Sequence, residues 1–348
     1  MTDLAVPARG HKRPDLRRGE LYLVGSVVVF VGGFAIVSAF VGGERVLANF
    51  GSIGWPAILL VLACSLLNYT LRAIRWLIYS KRLGVELPVW NNLLYYFAGF
   101  SLTATPAKLG ETLRHWLLER GHGYSYSRTL PLWVADRLND VTATLALILI
   151  GLAAFSDLLV TVFGFAVLFT AFMVLIARPG AVLAGIAWLY GQFRVRARFF
   201  AGFRRAVRFS ATLFSPRLYA IGVALAMVGW FAECVAFHWL LAEMDSSIPL
   251  LQATFIFTFA LLAGGVSLMP GGIGGFEGSM VGLLLAVDVE PDVAIAATVA
   301  IRAATLWFCV LLGFTALPFA LHRVRHPVGR DEQRRRARNR RPPGRGGS

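Results

Sequence analysis

Six charged side chains, Glu111, Asp136, Arg137, Asp140, Glu277 and Arg302, stand in stretches that are otherwise apolar. An ionised group near the centre of a bilayer costs about 2.5–3.5 kcal/mol on insertion scales, so one kept there pairs, faces water or contacts a substrate. In Ala135-Asp-Arg-Leu-Asn-Asp140 the two aspartates lie four residues apart on one helical face. Arg137 precedes Asp140 by three and is able to pair with it. Arg302 has no carboxylate within one turn, so Glu277 is its expected partner. A matching Glu111–Arg137 pair is expected, because Arg137 follows Glu111 by 26 residues and Arg302 follows Glu277 by 25. Two roles fit such pairs. Either they are structural locks, or their arginines also hold an anionic lipid headgroup, since a planar guanidinium offers a fork of donors that suits phosphate.

The elements that must position these groups are two short broken segments, Pro106-Ala-Lys-Leu-Gly-Glu111 and Pro270-Gly-Gly-Ile-Gly-Gly-Phe-Glu277. Arg137 follows the first proline by 31 residues and Arg302 follows the second by 32, which points to an internal repeat. Unwound backbone is tolerated at membrane depth only where it lines a cavity or is buried in protein, so paired breaks in two halves point to a midplane site. Pro106, Gly110, Pro270, Gly271, Gly272, Gly274 and Gly275 are the expected re-entrant turns. Their glycines would add exposed N–H groups at a helix N-terminus, itself an anion site. Lys108 and Arg114 flank Glu111 and leave the first segment net positive, able to draw in phosphate. For Arg114, near the segment's exit, snorkelling to the interface is the expected placement. The candidate substrate-binding set is thus Lys108, Glu111, Arg114, Asp136, Arg137, Asp140, Glu277 and Arg302.

With 57% hydrophobic and 15% charged residues among 348, and a mean hydropathy of +0.65, the chain has too little polar surface for a water-soluble domain. It reads as an all-α polytopic membrane protein. Runs long enough to cross about 30 Å of hydrocarbon fall at 21–42, 55–78, 129–153, 158–177, 218–242 and 292–321. Segments 89–120 and 251–287 contain the breaks and read as re-entrant helical hairpins. Of the 34 lysines and arginines, 30 lie in segments assigned to one side, Arg45 lies on the other, and Lys108, Arg137 and Arg302 lie at membrane depth. By the positive-inside rule both termini are cytoplasmic, in a multi-pass plasma-membrane protein. The hairpins then dip from opposite sides. Halves 55–153 and 218–321 form an inverted-topology repeat within an integral membrane domain, 21–322.

The first span, preceded by the basic stretch 1–20, reads as a retained anchor, since no small-residue cleavage site follows it. The net charge of +15 raises nucleic acid, but its distribution fits membrane topology instead. Segment 191–217 interleaves arginines with phenylalanines and either lies among headgroups or is a plain cytoplasmic loop. The tail 323–348 is basic and expected to be disordered. Cys64, Cys234 and Cys309 lie in apolar runs without metal-ligand spacing and read as packing residues. Glu233 and His238 fit either a proton relay or, as the preferred reading, a satisfied core pair, and Arg72, Arg75 and Trp76 read as an interface anchor. No nucleophile elbow, HExxH, Cys-x-x-Cys or Walker loop is found, and no metal or cofactor is implied.

Leu71-Arg-Ala-Ile-Arg-Trp76, Tyr96-Phe-Ala-Gly-Phe100, Pro106–Arg114, Asp136-Arg-Leu-Asn-Asp140 and Pro270–Glu277 followed by Arg302 form an ordered set. Over about 55–320 it resembles the flippase-like integral membrane domain of lysylphosphatidylglycerol synthases, also found as stand-alone proteins. The resemblance implies movement of a polar-headed lipid between leaflets, without the synthases' soluble aminoacyltransferase domain and hence without an enzyme activity of its own. Membrane lipids, anionic, aminoacylated or glycosylated, are the implied partners, with a cytoplasmic transferase as a further one. Ala107-Lys108 stands where the family tends to Gly-Arg, and Asp136 where Glu is usual, which leaves headgroup preference open. Two rivals compete with a translocase. One is a membrane-embedded enzyme or enzyme subunit using Asp136, Asp140 or Glu277 as acid or base. The other is a scaffold that recruits an aminoacyl- or glycosyltransferase through 191–217 and the tail.

Overall fold

The computed structural model describes residues 43–104, 109–154, 215–267 and 269–325, with residues 164, 167 and 213 singly. The expected span 21–42, most of 158–177 and 191–217, the tail beyond 325, and Pro106 and Lys108 lie outside the described residues. So does the side chain of Glu111.

Every described element is helical: α1 (Gly43–Ser52), α2 (Trp55–Arg82), α3 (Val89–Ala98), α4 (Leu109–His122), α5 (Tyr126–Leu152), α6 (Pro216–Glu243), α7 (Leu250–Val266), α8 (Gly275–Leu285), α9 (Pro291–Arg302) and α10 (Phe308–Arg325). Among the described residues, three stretches are long and apolar enough to cross a membrane: α2 and α6 at 28 residues each, and Pro291–Val324 at 34. At 1.5 Å per residue, 28 residues reach about 42 Å, beyond the hydrocarbon thickness. Prolines near the first turns of α2 and α6 favour initiation there, where a missing N–H costs nothing. The segment carrying Arg45, read from sequence as a loop, is the short helix α1. Val46 is buried on it, Phe50 packs beside it one turn later, and the helix lies against α9.

The second broken segment appears as helix, tight turn and second helix, and the first is described on either side of residues 105–108. In the first, α3 gives way to a 3-10 turn at Gly99–Leu102, ahead of Pro106, and Ser101 Oγ donates to the Ala98 carbonyl there. In the second, α7 is followed by the turn Pro270–Gly272, then by α8 packed back along α7, with the rings of Phe257 and Phe276 6.0 Å apart. Gly272 has φ +72°, and a Cβ on it would lie 2.9 Å from the Gly264 carbonyl oxygen, so only glycine lets the returning chain sit this close.

Packing crosses between the halves. Antiparallel α2 and α6 meet along their length, with Gly54 near Glu243, Asn68 against Gly229 and the Tyr79 hydroxyl against Gly222. A Cβ on Gly151 of α5 would meet the backbone of Leu251 and Phe255 of α7, and one on Gly313 of α10 would meet that of Phe100 and Ser101 beyond α3. Each broken segment is thus braced by a long helix of the opposite half. Two apolar cores result, one around Trp230, Phe237, Phe257 and Phe276, the other around Tyr69, Trp76, Tyr96 and Phe100.

Candidate functional site

A cavity of about 370 Å³ lies where the two cores meet. Tyr69 and Phe100 face it from one core, Trp230, Phe257 and Phe276 from the other, and the turn residues Gly271 and Gly272 form part of its wall. Into this apolar lining come four arginines, Arg72, Arg114, Arg137 and Arg302, with the carboxylates Asp140 and Glu233.

The densest group joins α2 to α5. Arg75 is 1% exposed; its Nε donates to Asp136 Oδ1 at 2.9 Å, and one terminal nitrogen donates both to that oxygen and to Asp140 Oδ1, the latter at 2.7 Å. Arg72 lies 3.3 Å from Asp140 Oδ2, and Arg137 lies 3.1 Å from one oxygen of each aspartate. Among the described residues, three guanidiniums meet two carboxylates here. The helical period explains it: Asn68, Arg72, Arg75 and Tyr79 share one face of α2, and Asp136 and Asp140 share one face of α5. Asn139 Nδ2 donates to the Tyr79 hydroxyl at 2.7 Å and completes the seam.

The second group joins α8 to α9. Arg302 Nε donates to Glu277 Oε1 at 2.7 Å, the contact expected from sequence. Its terminal nitrogen donates to the Gly271 carbonyl at 2.7 Å, and its guanidinium lies 4.4 Å from the Phe276 ring centre. Glu277 Oε2 accepts the Gly274 N–H at 2.6 Å, so the carboxylate closes the first turn of α8. The expectation that hairpin glycines leave N–H groups open for an anion is therefore corrected at Gly274, whose donor is taken by the chain's own carboxylate. Directly after Arg302, Ala303–Trp307 forms a π turn, and the Tyr69 hydroxyl donates to the freed Thr305 carbonyl. Such turns concentrate at functional sites in helices.

Residues 22–313 match the lysylphosphatidylglycerol synthase TM region family. The chain belongs to that family. It is also 25% identical to each of two UPF0104 membrane proteins of Methanothermobacter thermautotrophicus. One match covers 75% of this chain and 85% of the relative, the other 72% and 81%. The protein is accordingly a multi-pass member of a membrane family.

Within this family member the structure corrects three placements. Arg114 does not snorkel outward: it is 4% exposed, its Nε donates to the Tyr96 carbonyl at 3.0 Å, and its guanidinium lies 4.0 Å from the Tyr96 ring centre and 5.1 Å from that of Phe100. Aromatic faces here take the place of interfacial water. Nor are Arg75 and Trp76 an interface anchor, since both are buried; α2 runs on to Arg82 and carries them inward. Glu233 is not paired with His238, which lies five residues on and off its helical face; its Oε1 accepts from Asn68 Nδ2 of α2 at 2.7 Å. Sequence reasoning thus passed over Arg72 and Arg75 as site residues. The available signal was their spacing of three, in register with Asn68 and Tyr79.

Proposed function

We propose that this protein is a lipid translocase that moves a polar-headed, phosphate-bearing lipid between leaflets, the headgroup passing through the central cavity while the acyl chains stay in lipid. The observation that carries the reading is the convergence of Arg72, Arg114, Arg137 and Arg302 on one cavity beside a broken helix. Phosphate oxygens accept bidentate bonds from guanidinium, and in low dielectric such charge-assisted bonds are the strong ones. The matching element order supports an inverted repeat: α6 and α7 begin 161 residues after α2 and α3, and α2 and α6 cross antiparallel. In this reading α3–α4 and α7–α8 enter from opposite faces, both termini are cytoplasmic, and the protein sits in the plasma membrane. Asp136, Asp140 and Glu277 are held by arginines and act as counter-ions that set the arginine geometry, so no bond-making chemistry is assigned to them.

Proteoliposomes carrying the protein and a trace of headgroup-labelled fluorescent phospholipid, probed with a membrane-impermeant quencher, test the reading. Faster exchange than in protein-free vesicles is expected, with loss of the gain in Arg137→Ala. Unchanged exchange across anionic, zwitterionic and glycosylated lipids overturns it. A chemically altered lipid would favour the enzyme reading, and loss of exchange on removing 323–348 would favour the scaffold.

A further inference from the structure

We infer that Glu233 is the proton-carrying group of this cavity and takes up a proton as an anionic headgroup enters; the inference rests on the translocase reading above. Asp136, Asp140 and Glu277 each meet at least one guanidinium. Glu233 meets none among the described residues. It is 1% exposed and lines the cavity. One oxygen accepts the Asn68 amide, whereas Oε2 has no hydrogen-bonding partner among the described residues. An amide donor orients a carboxylate without neutralising it, Arg72 acts on it only from beyond ion-pair distance, and ionisable carboxylates at membrane depth mark proton relays.

The groups facing it leave it as the exchangeable one. From α2 come Cys64, Tyr69 and Arg72, from α5 Asp140, from α10 Cys309, and Cys234 lies beside it on α6. Arg72 is directed to Asp140 and to the Trp230 ring, 5.4 Å from its centre. The Tyr69 hydroxyl is committed to Thr305. Packed against α6, α7 presents Phe257 to the cavity, an uncharged side chain, and α9 presents Arg302, which is paired with Glu277. A charged Glu233 therefore opposes a phosphate held by Arg114 or Arg302, and a neutral one does not. By reciprocity, phosphate entry then favours proton uptake to the same extent that protonation favours phosphate. One phosphodiester and one proton together leave the cavity's net charge as it was when empty. A full cycle then carries no net charge across, and a proton gradient can drive it.

The test uses the full chain in detergent micelles, dihexanoylphosphatidylglycerol as probe, tryptophan fluorescence for binding and a pH-indicator dye in weak buffer for protons. The phosphodiester stays singly charged throughout, so it supplies no proton itself. Binding is expected with up to one proton taken up per lipid, and affinity falls with rising pH by at most about tenfold per pH unit. Glu233→Gln should bind with a flat pH profile and no uptake. Wild-type binding without uptake at every pH overturns the inference, as does uptake that persists in Glu233→Gln. The wild-type stoichiometry decides by itself should the variant not fold. Absence of lipid binding at any pH overturns the translocase reading, a separate failure that removes this inference with it.

Discussion

Arg137 and Arg302 stand 165 residues apart at corresponding points of the two halves, yet they are held in different ways. Around Arg137, three guanidiniums share two aspartates, and all five side chains come from the regular helices α2 and α5. Around Arg302, one ion pair and one carbonyl tie α9 to the turn before α8, next to a π turn. The first arrangement is redundant and the second is not. A member of a shared network can leave while its partners stay compensated, whereas one half of an isolated buried pair cannot. The two halves therefore divide the labour, with α2–α5 as a rigid frame and α7–α9 as the part whose shape hangs on few bonds.

The comparison is broken most severely at Arg75, the shared centre of the frame. Arg75→Met leaves Asp136 Oδ1 and Asp140 Oδ1 buried without the donor they share, although Arg72 and Arg137 still compensate the charge, and stability should fall by about 3–5 kcal/mol, the cost of two buried carboxylate oxygens losing their hydrogen bonds, read as a lower thermal midpoint in detergent. Arg302→Ala comes next, with a loss of roughly 3 kcal/mol. Adding Glu277→Gln should restore folding; recovered lipid exchange in that double variant would make the pair purely structural. Gly272→Ala forces a Cβ at φ +72° against the Gly264 backbone and should cost about 1–3 kcal/mol, also by thermal midpoint. The smallest stability effect is expected for Arg137→Ala, which is 24% exposed and leaves Arg72 and Arg75 on both aspartates: about 1 kcal/mol or less, but with lipid exchange lost. An Arg137→Ala protein as unstable as Arg75→Met would end the distinction between frame and moving part.

The amino-acid sequence by itself determined the helical membrane class, the long helices expected at 55–78, 129–153, 218–242 and 292–321, the break at Pro270–Gly275 and the Glu277–Arg302 contact. These follow from local quantities: apolar run length, glycine and proline placement, and a charge with no partner on its own helix. Tertiary structure alone decided that Arg75 and Arg114 are buried, that Arg72 reaches Asp140 of α5, and that Glu233 meets Asn68 across α2 and α6. A basic residue near a helix end reads the same whether the helix stops at the interface or continues against a neighbour. Only the crossing of α2 over α5 and α6, and of the first broken segment over α10, distinguishes the two, because burial there is set by residues far away in the chain.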